Sequence, residues 1–394
     1  MDSLSNMILQ MCPDGVDYKK IKDIADVGTG SSDRKNAVDE GEYPFYVRSK
    51  NILKSDKYLF DETAIIIPGE GGVGEIFHYV DGKYDLHQRA YRIHFTDEGI
   101  LPKFAYYYFC NSFKQFILKK SVEATVTSIR KPMIEEFMIP VPPLELQTEI
   151  VSILDKMTAT TEELIGVIRE EYEARKKQYD GYLNYIISKY DNGEKVKLST
   201  LFDFRNGLSK GKEYFGRGIP FIRYTDVYNN RSLRLDTINA LVECSQDEVD
   251  KLRVKRGDVL FTRTSETAED VGWSSVMLDD IENCVFNGFT IKATPKTNDL
   301  LPEYCAYCFS TDDFRQYVSS HCAFTTRASL TGKTIAEYEM SVPNMDDQKR
   351  IAETLDDMHR LFRSILEELL DEIRVRNTQY EYYRDKLLTF KEAV

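Results

Sequence analysis

The sequence lacks the segments that would place the protein in or across a membrane. No run of about 18 apolar residues, the length that a spanning helix needs, occurs in the 394 residues. The first fifteen residues have no basic flank followed by an uninterrupted apolar stretch, so we predict no export signal. The seven cysteines are odd in number and scattered, which is typical of reduced thiols in a cytosol. We therefore expect a cytoplasmic protein.

The chain also lacks the motifs of common enzyme chemistry. The glycine-rich segment Gly69–Gly74 is not followed by the Gly-Lys-Ser/Thr of a phosphate-binding loop, and we interpret it as a tight hairpin. There is no N/D-P-P-Y/F methyltransferase tetrapeptide, no methyl-donor loop and no Ser/His/Asp arrangement. Cys305 and Cys308 have C-x-x-C spacing near His321 and Cys322, but their aromatic surroundings favour buried thiols over a zinc site. The sequence predicts no catalytic, cofactor-binding or metal site.

An excess of basic charge is missing as well. The formal net charge is -13, which argues against a surface coated uniformly with cations for nucleic acid. A local basic face on an acidic molecule remains compatible with this value. The apolar fraction of 42% and charged fraction of 30% are those of an ordinary globular protein.

The most informative feature that is present is an internal repeat of about 200 residues. The segment MIPVPPLELQTEIVSILDKM, which ends at Met157, matches MSVPNMDDQKRIAETLDDM, which ends at Met358. Gln147 and Gln348 are paired at a spacing of 201 residues, and LPKFAYYYF from Leu101 matches LPEYCAYCF from Leu301 at a spacing of 200. The ends of the copies are similar while their middles differ in length and sequence. This pattern indicates a duplicated scaffold with divergent inserts.

Each copy is predicted to contain a mixed domain followed by one long helix. Short strand-like runs such as Ala64–Gly69 and Gly257–Arg263 come first, followed by aromatic stretches with helical spacing at 104–117 and 304–317. From Glu145 to about Ser188, apolar residues recur close to every 3.5 positions, as in a coiled-coil seam, and the second copy repeats this pattern. A helix so long buries its seam best against its counterpart, which favours an antiparallel pair.

The predicted fold class is therefore α+β, with two mixed domains joined by two long antiparallel helices in a pseudo-two-fold repeat. We expect domain 1 at 1–142, helix 1 at 143–190, domain 2 at 191–342 and helix 2 at 343–394.

Together these motifs resemble the specificity subunit of type I restriction–modification systems. The likeness rests on CPDGVDYKKIKDI, YPFYVRSKNI, IPFIRYTDVY and the twice-occurring V-P…Q…I…L-D block, and it covers essentially the whole chain. The second block departs from the first in having Asn344-Met345-Asp346 where Pro143-Leu144-Glu145 stand.

The resemblance implies a non-catalytic bacterial or archaeal subunit. Two target-recognition domains would each read one half of a bipartite double-stranded DNA site, and the two helices would fix the spacing between the halves. Two methyltransferase subunits would dock on the helices, and restriction subunits could join them. S-adenosylmethionine, ATP and Mg²⁺ would then be bound by the partner subunits.

The candidate DNA-contacting residues are polar or basic side chains in predicted loops, because base edges and phosphates are read by such groups. In domain 1 they are Ser31, Ser32, Arg34, Lys35, Arg48, Lys50, Asn51, His87, Gln88, Arg89, Thr127, Arg130 and Lys131. In domain 2 they are Arg205, Asn206, Lys210, Lys212, Arg217, Arg223, Tyr224, Thr225, Arg263, Thr264, Ser265, Thr326, Arg327 and Ser329. The alternative for each is an ordinary solvated loop residue.

Two other functions stay open from the sequence alone. One is a DNA-reading subunit of a related methylation or defence complex without cleavage. The other is a stand-alone nuclease or methylase, which the missing motifs disfavour.

Overall fold

The computed structural model describes residues 7–8, 10–120, 128–191 and 194–393. The chain divides into two compact units, here called unit 1 (1–168 with 371–394) and unit 2 (169–370). Each unit combines a mixed domain with parts of both long helices. The mixed architecture with two long antiparallel helices confirms the predicted fold class. The exact domain boundaries predicted from the sequence stay a prediction.

Unit 1 is built on a six-stranded sheet in the order β2-β7-β5-β6-β3-β4, in which only the β3–β6 pair is parallel. A small antiparallel pair, β1 with β8, forms a separate sheet. The elements are β1 (Tyr18–Lys20), α1 (Ile21–Ile24), β2 (Ala25–Thr29), β3 (Tyr43–Tyr46), β4 (Leu53–Ser55), β5 (Phe60–Pro68), β6 (His78–Leu86), β7 (Ala90–Phe95), α2 (Pro102–Lys120), α3 (Lys131–Glu135) and β8 (Met138–Pro140).

Unit 2 repeats this plan with a five-stranded sheet, β10-β18-β14-β16-β12, and smaller sheets β13-β11-β17, β15-β20-β19 and β21-β9. Its elements are β9 (Lys195–Lys197), α5 (Leu198–Leu201), β10 (Phe202–Asn206), β11 (Phe215–Ile222), α6 (Tyr224–Asn229), β12 (Ser232–Leu233), β13 (Leu241–Val242), α7 (Gln246–Leu252), β14 (Val259–Thr262), β15 (Thr264–Ser265), β16 (Ser274–Met277), β17 (Val285–Phe286), β18 (Thr290–Pro295), α8 (Pro302–Cys308), α9 (Asp312–His321), β19 (Ala323–Phe324), β20 (Ala328–Ser329), α10 (Gly332–Ala336) and β21 (Glu339–Ser341).

Two details of the secondary structure differ from the sequence prediction. The aromatic stretch 304–317 forms two helices, α8 and α9, because Thr311 caps a new helix: its Oγ1 accepts the amide of Phe314 at 3.4 Å. The segment between β5 and β6 spans residues 69–77, because β5 ends at Pro68 and β6 begins at His78. The glycine-rich segment is thus a broad loop between β5 and β6, and not a tight hairpin.

The long helices are α4 (Leu144–Lys189, 46 residues) and α11 (Met345–Leu388, 44 residues). In unit 1 the first turns of α4 pack on the last turns of α11 in a cluster that contains Ile150, Leu154 and Leu387. Further along the pair, the hydroxyls of Thr158 and Tyr380 are 2.9 Å apart. Along this pair of helices the residue numbers rise in α4 while those of the contacting residues fall in α11. The two segments therefore run antiparallel.

The same pairing occurs within unit 2, where the later part of α4 meets the earlier part of α11. The ring of Tyr179 lies 5.2 Å from that of Phe362 and 5.8 Å from that of His359. Both Tyr179 and Phe362 are buried in the main core of this unit. Part of the apolar seam predicted from the heptad-like spacing is therefore buried in each unit.

A glutamine in each V-P…Q block joins the long helix to its domain. The buried Gln147 accepts the amide of Leu101 at 2.8 Å and donates to the carbonyls of Gly99 at 2.7 Å and Pro142 at 2.8 Å. Gln348 makes the same three bonds at 2.8, 2.7 and 2.8 Å, with Leu301, Asp299 and Pro343. The amide side chain thus satisfies three backbone groups at the entry to each helix, which explains its place in both motifs.

The C-terminal segment completes unit 1. The amide of Val16 donates to the carbonyl of Lys391 at 2.9 Å, and the amide of Ala393 donates back to Val16 at 3.0 Å. The ring of Phe390 packs 6.3 Å from that of Phe104. The start of the first copy is therefore held by the end of the second.

Candidate nucleic-acid interface

Five segments of unit 1 meet at one edge of its sheet and form what we call loop cluster 1. They are 30–36, 47–52, 69–77, 87–89 and 128–131. Backbone hydrogen bonds hold them together: Ser32 to Leu86 at 3.2 Å, His87 to Tyr46 at 3.0 Å, Gly69 to Arg89 at 2.9 Å, and Ile129 to Gly69 at 2.8 Å. Residues from distant parts of the chain therefore share one surface.

Unit 2 builds the same arrangement, loop cluster 2, from 207–212, 223–225, 263–265, 287–289 and 323–331. Its equivalent bonds are Leu208 to Phe286 at 2.9 Å, Asn287 to Ile222 at 3.0 Å, Arg263 to Phe289 at 2.8 Å, and Leu330 to Arg263 at 2.9 Å. The backbone bridges Glu70–Ser128 and Thr264–Ser329 also correspond. One loop frame is thus made twice, with different side chains on it.

The side chains of loop cluster 1 form a charged triad. Glu70 accepts a hydrogen bond from Arg48 at 2.7 Å and lies 3.4 Å from the guanidinium of Arg89. The hydrogen bond from Arg48 lowers the pKa of Glu70 below its usual range. All three residues are exposed or half-buried, so water or a ligand can compete for these ion pairs.

The comparisons with known proteins agree with this duplicated frame. The sequence profile of the type I restriction modification DNA specificity domain matches residues 13–173 and again 190–375. The chain belongs to this family. Each match covers the domain and much of the helix of one sequence copy.

Individual members of the family align with long stretches of the chain. The EcoR124I/EcoR124II specificity subunit of Escherichia coli is 30% identical over 256 residues, which are 63% of this chain and 60% of that subunit. A putative type I specificity subunit of Haemophilus influenzae is 24% identical over 95% of this chain and 96% of its own length. A chain in a solved type I R-M system has the same fold, with a TM-score of 0.71 and 14% identity over 95% of this chain and 98% of its own.

In this specificity-family protein, loop cluster 1 gathers most of the candidates predicted for domain 1. Ser31, Arg34, Lys35, Arg48, Lys50, Asn51, Gln88 and Arg89 lie exposed on it. Arg130 and Lys131 are exposed at the start of α3, next to the Glu70–Ser128 bridge. Thr127 lies outside the described residues. Whether these residues touch DNA stays a prediction.

Two domain 1 candidates lie below the surface, where they hold the loops. Ser32 is 1% exposed and donates to the buried carboxylate of Asp85 at 2.7 Å. His87 is 3% exposed, and its Nδ1 accepts the amide of Arg89 at 3.0 Å. Burial, and then the charge of Arg48, lower the pKa of His87, which suits the neutral acceptor. These two side chains shape the interface from beneath.

Loop cluster 2 brings together Arg263, Thr264, Ser265, Thr326, Arg327 and Ser329. Arg263 is half-buried, with its guanidinium 3.4 Å from the carbonyl of Gly288. Thr326 and Arg327 are exposed at the tip of the β19–β20 hairpin. Lys210 lines the same cleft as Arg263, but it is bonded to Glu248 at 2.8 Å.

The remaining domain 2 candidates are Arg205, Asn206, Lys212, Arg217, Arg223, Tyr224 and Thr225. Most of their cations have intramolecular partners: Arg205 donates to the carbonyl of Lys251 at 2.6 Å, Arg217 to Glu243 at 2.6 Å, and Arg223 to Asp226 at 2.7 Å. The Tyr224 ring stacks on that of Tyr228 at 5.8 Å. Asn206, Lys212 and Thr225 are exposed.

Sequence reasoning did not select Glu70 or the turn Asn287–Phe289 as site residues. Glu70 carries the wrong charge for a phosphate contact, and Phe289 is apolar. The repeat could have identified the turn, because Phe289 stands 200 residues after Arg89, which was selected, in the aligned copies.

No metal site or membrane span is found in the part of the chain that the structure describes. Among those residues, no three His, Cys, Asp or Glu side chains are grouped as metal ligands, and no helix is long and apolar enough to cross a bilayer. Cys305 and Cys308 are buried in the core of unit 2.

Proposed function

We propose that the chain reads a bipartite DNA sequence, each unit contacting one half through its loop cluster. The observation that carries this proposal is the loop frame built twice with different side chains. A charged triad stands on one copy, and the matching turn of the other presents Phe289. Two different half-sites require readers that share a geometry and differ in surface chemistry, because base identity is read by side chains at base edges.

The triad of loop cluster 1 suits a G·C pair. Arginine pairs with O6 and N7 of guanine, and a carboxylate accepts from the amino group of cytosine. The carboxylate of Glu70 lies within 3.4 Å of the guanidinium groups of Arg48 and Arg89, so the triad offers both kinds of group at one place. Because these ion pairs are exposed and weak, the guanidinium and carboxylate groups can exchange them for hydrogen bonds to a base pair.

The long helices are the surface that we propose for the methyltransferase subunits, with restriction subunits joining the assembly. They expose large apolar side chains to solvent, which is costly unless a partner covers them. The most exposed are Val167 (57%), Tyr185 (63%), Leu361 (60%), Val375 (57%) and Tyr382 (61%). In this proposal the chain itself is non-catalytic and cytoplasmic, and the partners bind S-adenosylmethionine, ATP and Mg²⁺.

Methylome sequencing of a host that carries this chain with its partner subunits tests the proposed function. We expect a methylated motif of two separated and unlike parts. A continuous motif, or none, would count against two readers.

A second experiment tests the non-catalytic role. The purified chain is incubated with DNA, S-adenosylmethionine and Mg²⁺, and neither methylation nor cutting is expected. Either activity in the isolated chain would support a stand-alone enzyme instead.

A further inference from the structure

The matching turns of the two loop clusters carry different kinds of side chain, one charged and one apolar. In unit 1 the turn between β6 and β7 carries Arg89, which lies beside Glu70. In unit 2 the turn between β17 and β18 carries Phe289, whose residue exposure is 62%. Both turns are fixed by the same bonds to neighbouring loops, so the difference lies in the side chain and not in the backbone.

Phe289 stands over a largely apolar cleft. The cleft is lined in part by Leu208, Phe215 and Phe221, with Arg263 and Lys210 also contributing to its wall. The rings of Phe215 and Phe221 are 5.3 Å apart. In unit 1 the cleft at the matching place is more polar and includes Arg34, Arg48 and Glu70.

Three hydrogen bonds fix the backbone at Phe289. The amide of Phe289 donates to Oδ1 of Asn287 at 3.2 Å, and its carbonyl accepts the amide of Arg263 at 2.8 Å. The amide of Thr290 closes the turn on the carbonyl of Asn287 at 3.2 Å. A large apolar ring is therefore held out to solvent by a turn with little freedom.

We propose that Phe289 contacts the 5-methyl group of a thymine in the half-site read by unit 2. The inference rests on the proposed DNA-reading function. The thymine methyl is the one apolar group on base edges in the major groove, and phenylalanine is among the side chains that contact it. Arg263 in the same cleft, and the exposed Lys212 and Arg327 on the cluster, supply the positive charge that a DNA backbone requires.

The test uses the chain assembled with its methyltransferase subunits and a DNA duplex carrying the motif found in the methylome. Each thymine of the unit 2 half-site is replaced in turn by deoxyuridine, which removes only the methyl group. With the wild-type protein we expect one replacement to weaken binding about fourfold, as for the loss of one buried methyl group.

The variant Phe289→Ala should bind thymine DNA at least fourfold more weakly, and it should no longer distinguish uracil from thymine at that position. Leu235→Ala removes an apolar side chain of similar exposure, 58%, in unit 2 outside loop cluster 2, and should leave both affinities unchanged. An unchanged unfolding midpoint shows that each variant is folded as stably as the wild-type protein.

The outcomes separate this inference from the function on which it rests. If the wild-type complex shows no preference for a bipartite motif, the proposed function fails. If it binds its motif but no uracil replacement matters, or Phe289→Ala keeps the wild-type response to uracil, only the methyl contact is overturned. A loss of binding in Phe289→Ala without any effect of uracil would indicate stacking on bases, and would also overturn it.

Discussion

Replacing Gln147 by leucine removes the side chain that joins the first long helix to its domain while nearly keeping its volume. Three hydrogen bonds of 2.7–2.8 Å are lost. The backbone groups of Gly99, Leu101 and Pro142 lose their partners, at about 1–3 kcal/mol for each one that water cannot reach. Burial of the leucine returns about 1–2 kcal/mol. We expect unit 1 to be destabilised by about 3 kcal/mol.

Urea unfolding of the purified chain, with hydrogen exchange to assign the transition to a unit, measures this change. Gln348→Leu should destabilise unit 2 to a similar extent, because its three bonds have the same lengths. Gln178→Leu is the matched control, since this glutamine is exposed and bonds only Arg175, at 2.9 Å, in the described structure. It should change stability by less than about 0.5 kcal/mol. A loss below about 1 kcal/mol in Gln147→Leu would refute the reasoning.

Two further predictions concern pH and the C-terminal segment. Burial, together with the charges of Arg231 and Arg363, lowers the pKa of His359 to about 4. Because an unfolded histidine titrates near 6.5, unit 2 should lose stability as the pH falls from about 6.5 to about 4, by about 1 kcal/mol per pH unit for this half-buried ring. Urea midpoints between pH 7 and pH 5 should show this slope, and it should flatten in His359→Gln; an equal slope in both proteins would contradict the assignment. Deleting residues 390–394 removes the Phe390 ring and two backbone bonds to Val16, and should destabilise unit 1 by about 3 kcal/mol, so an unchanged urea midpoint would count against that role.

The scaffold could be predicted because its contacts are local to motifs that occur twice. Gln147 and Gln348 stand out in an alignment of the chain with itself, and the structure gives them the same three bonds. The first long helix, α4, begins and ends within one residue of the predicted Glu145 and Ser188. Periodic and uninterrupted apolar spacing makes long helices predictable from the sequence.

The interface was less predictable, because its surface is assembled from five separate segments. Polarity alone could not show that Ser32 and His87 point inward, which follows from the buried carboxylate of Asp85 and the bond to Arg89. A search for polar side chains also does not select Phe289, since apolar residues are usually expected in a core. The folded structure places this ring where Arg89 stands in the other unit, a match that the 200-residue spacing of the repeat also carries.

In the proposed function, two readers act independently on two halves of one site. Methylomes of hosts expressing Arg89→Ala and Arg263→Ala, each with the partner subunits, test it most directly. Arg89→Ala should relax or weaken base choice in one half of the motif only, and Arg263→Ala should do so in the other half only. If both variants altered the same half, or if neither changed the motif, the account of two independent readers would be contradicted.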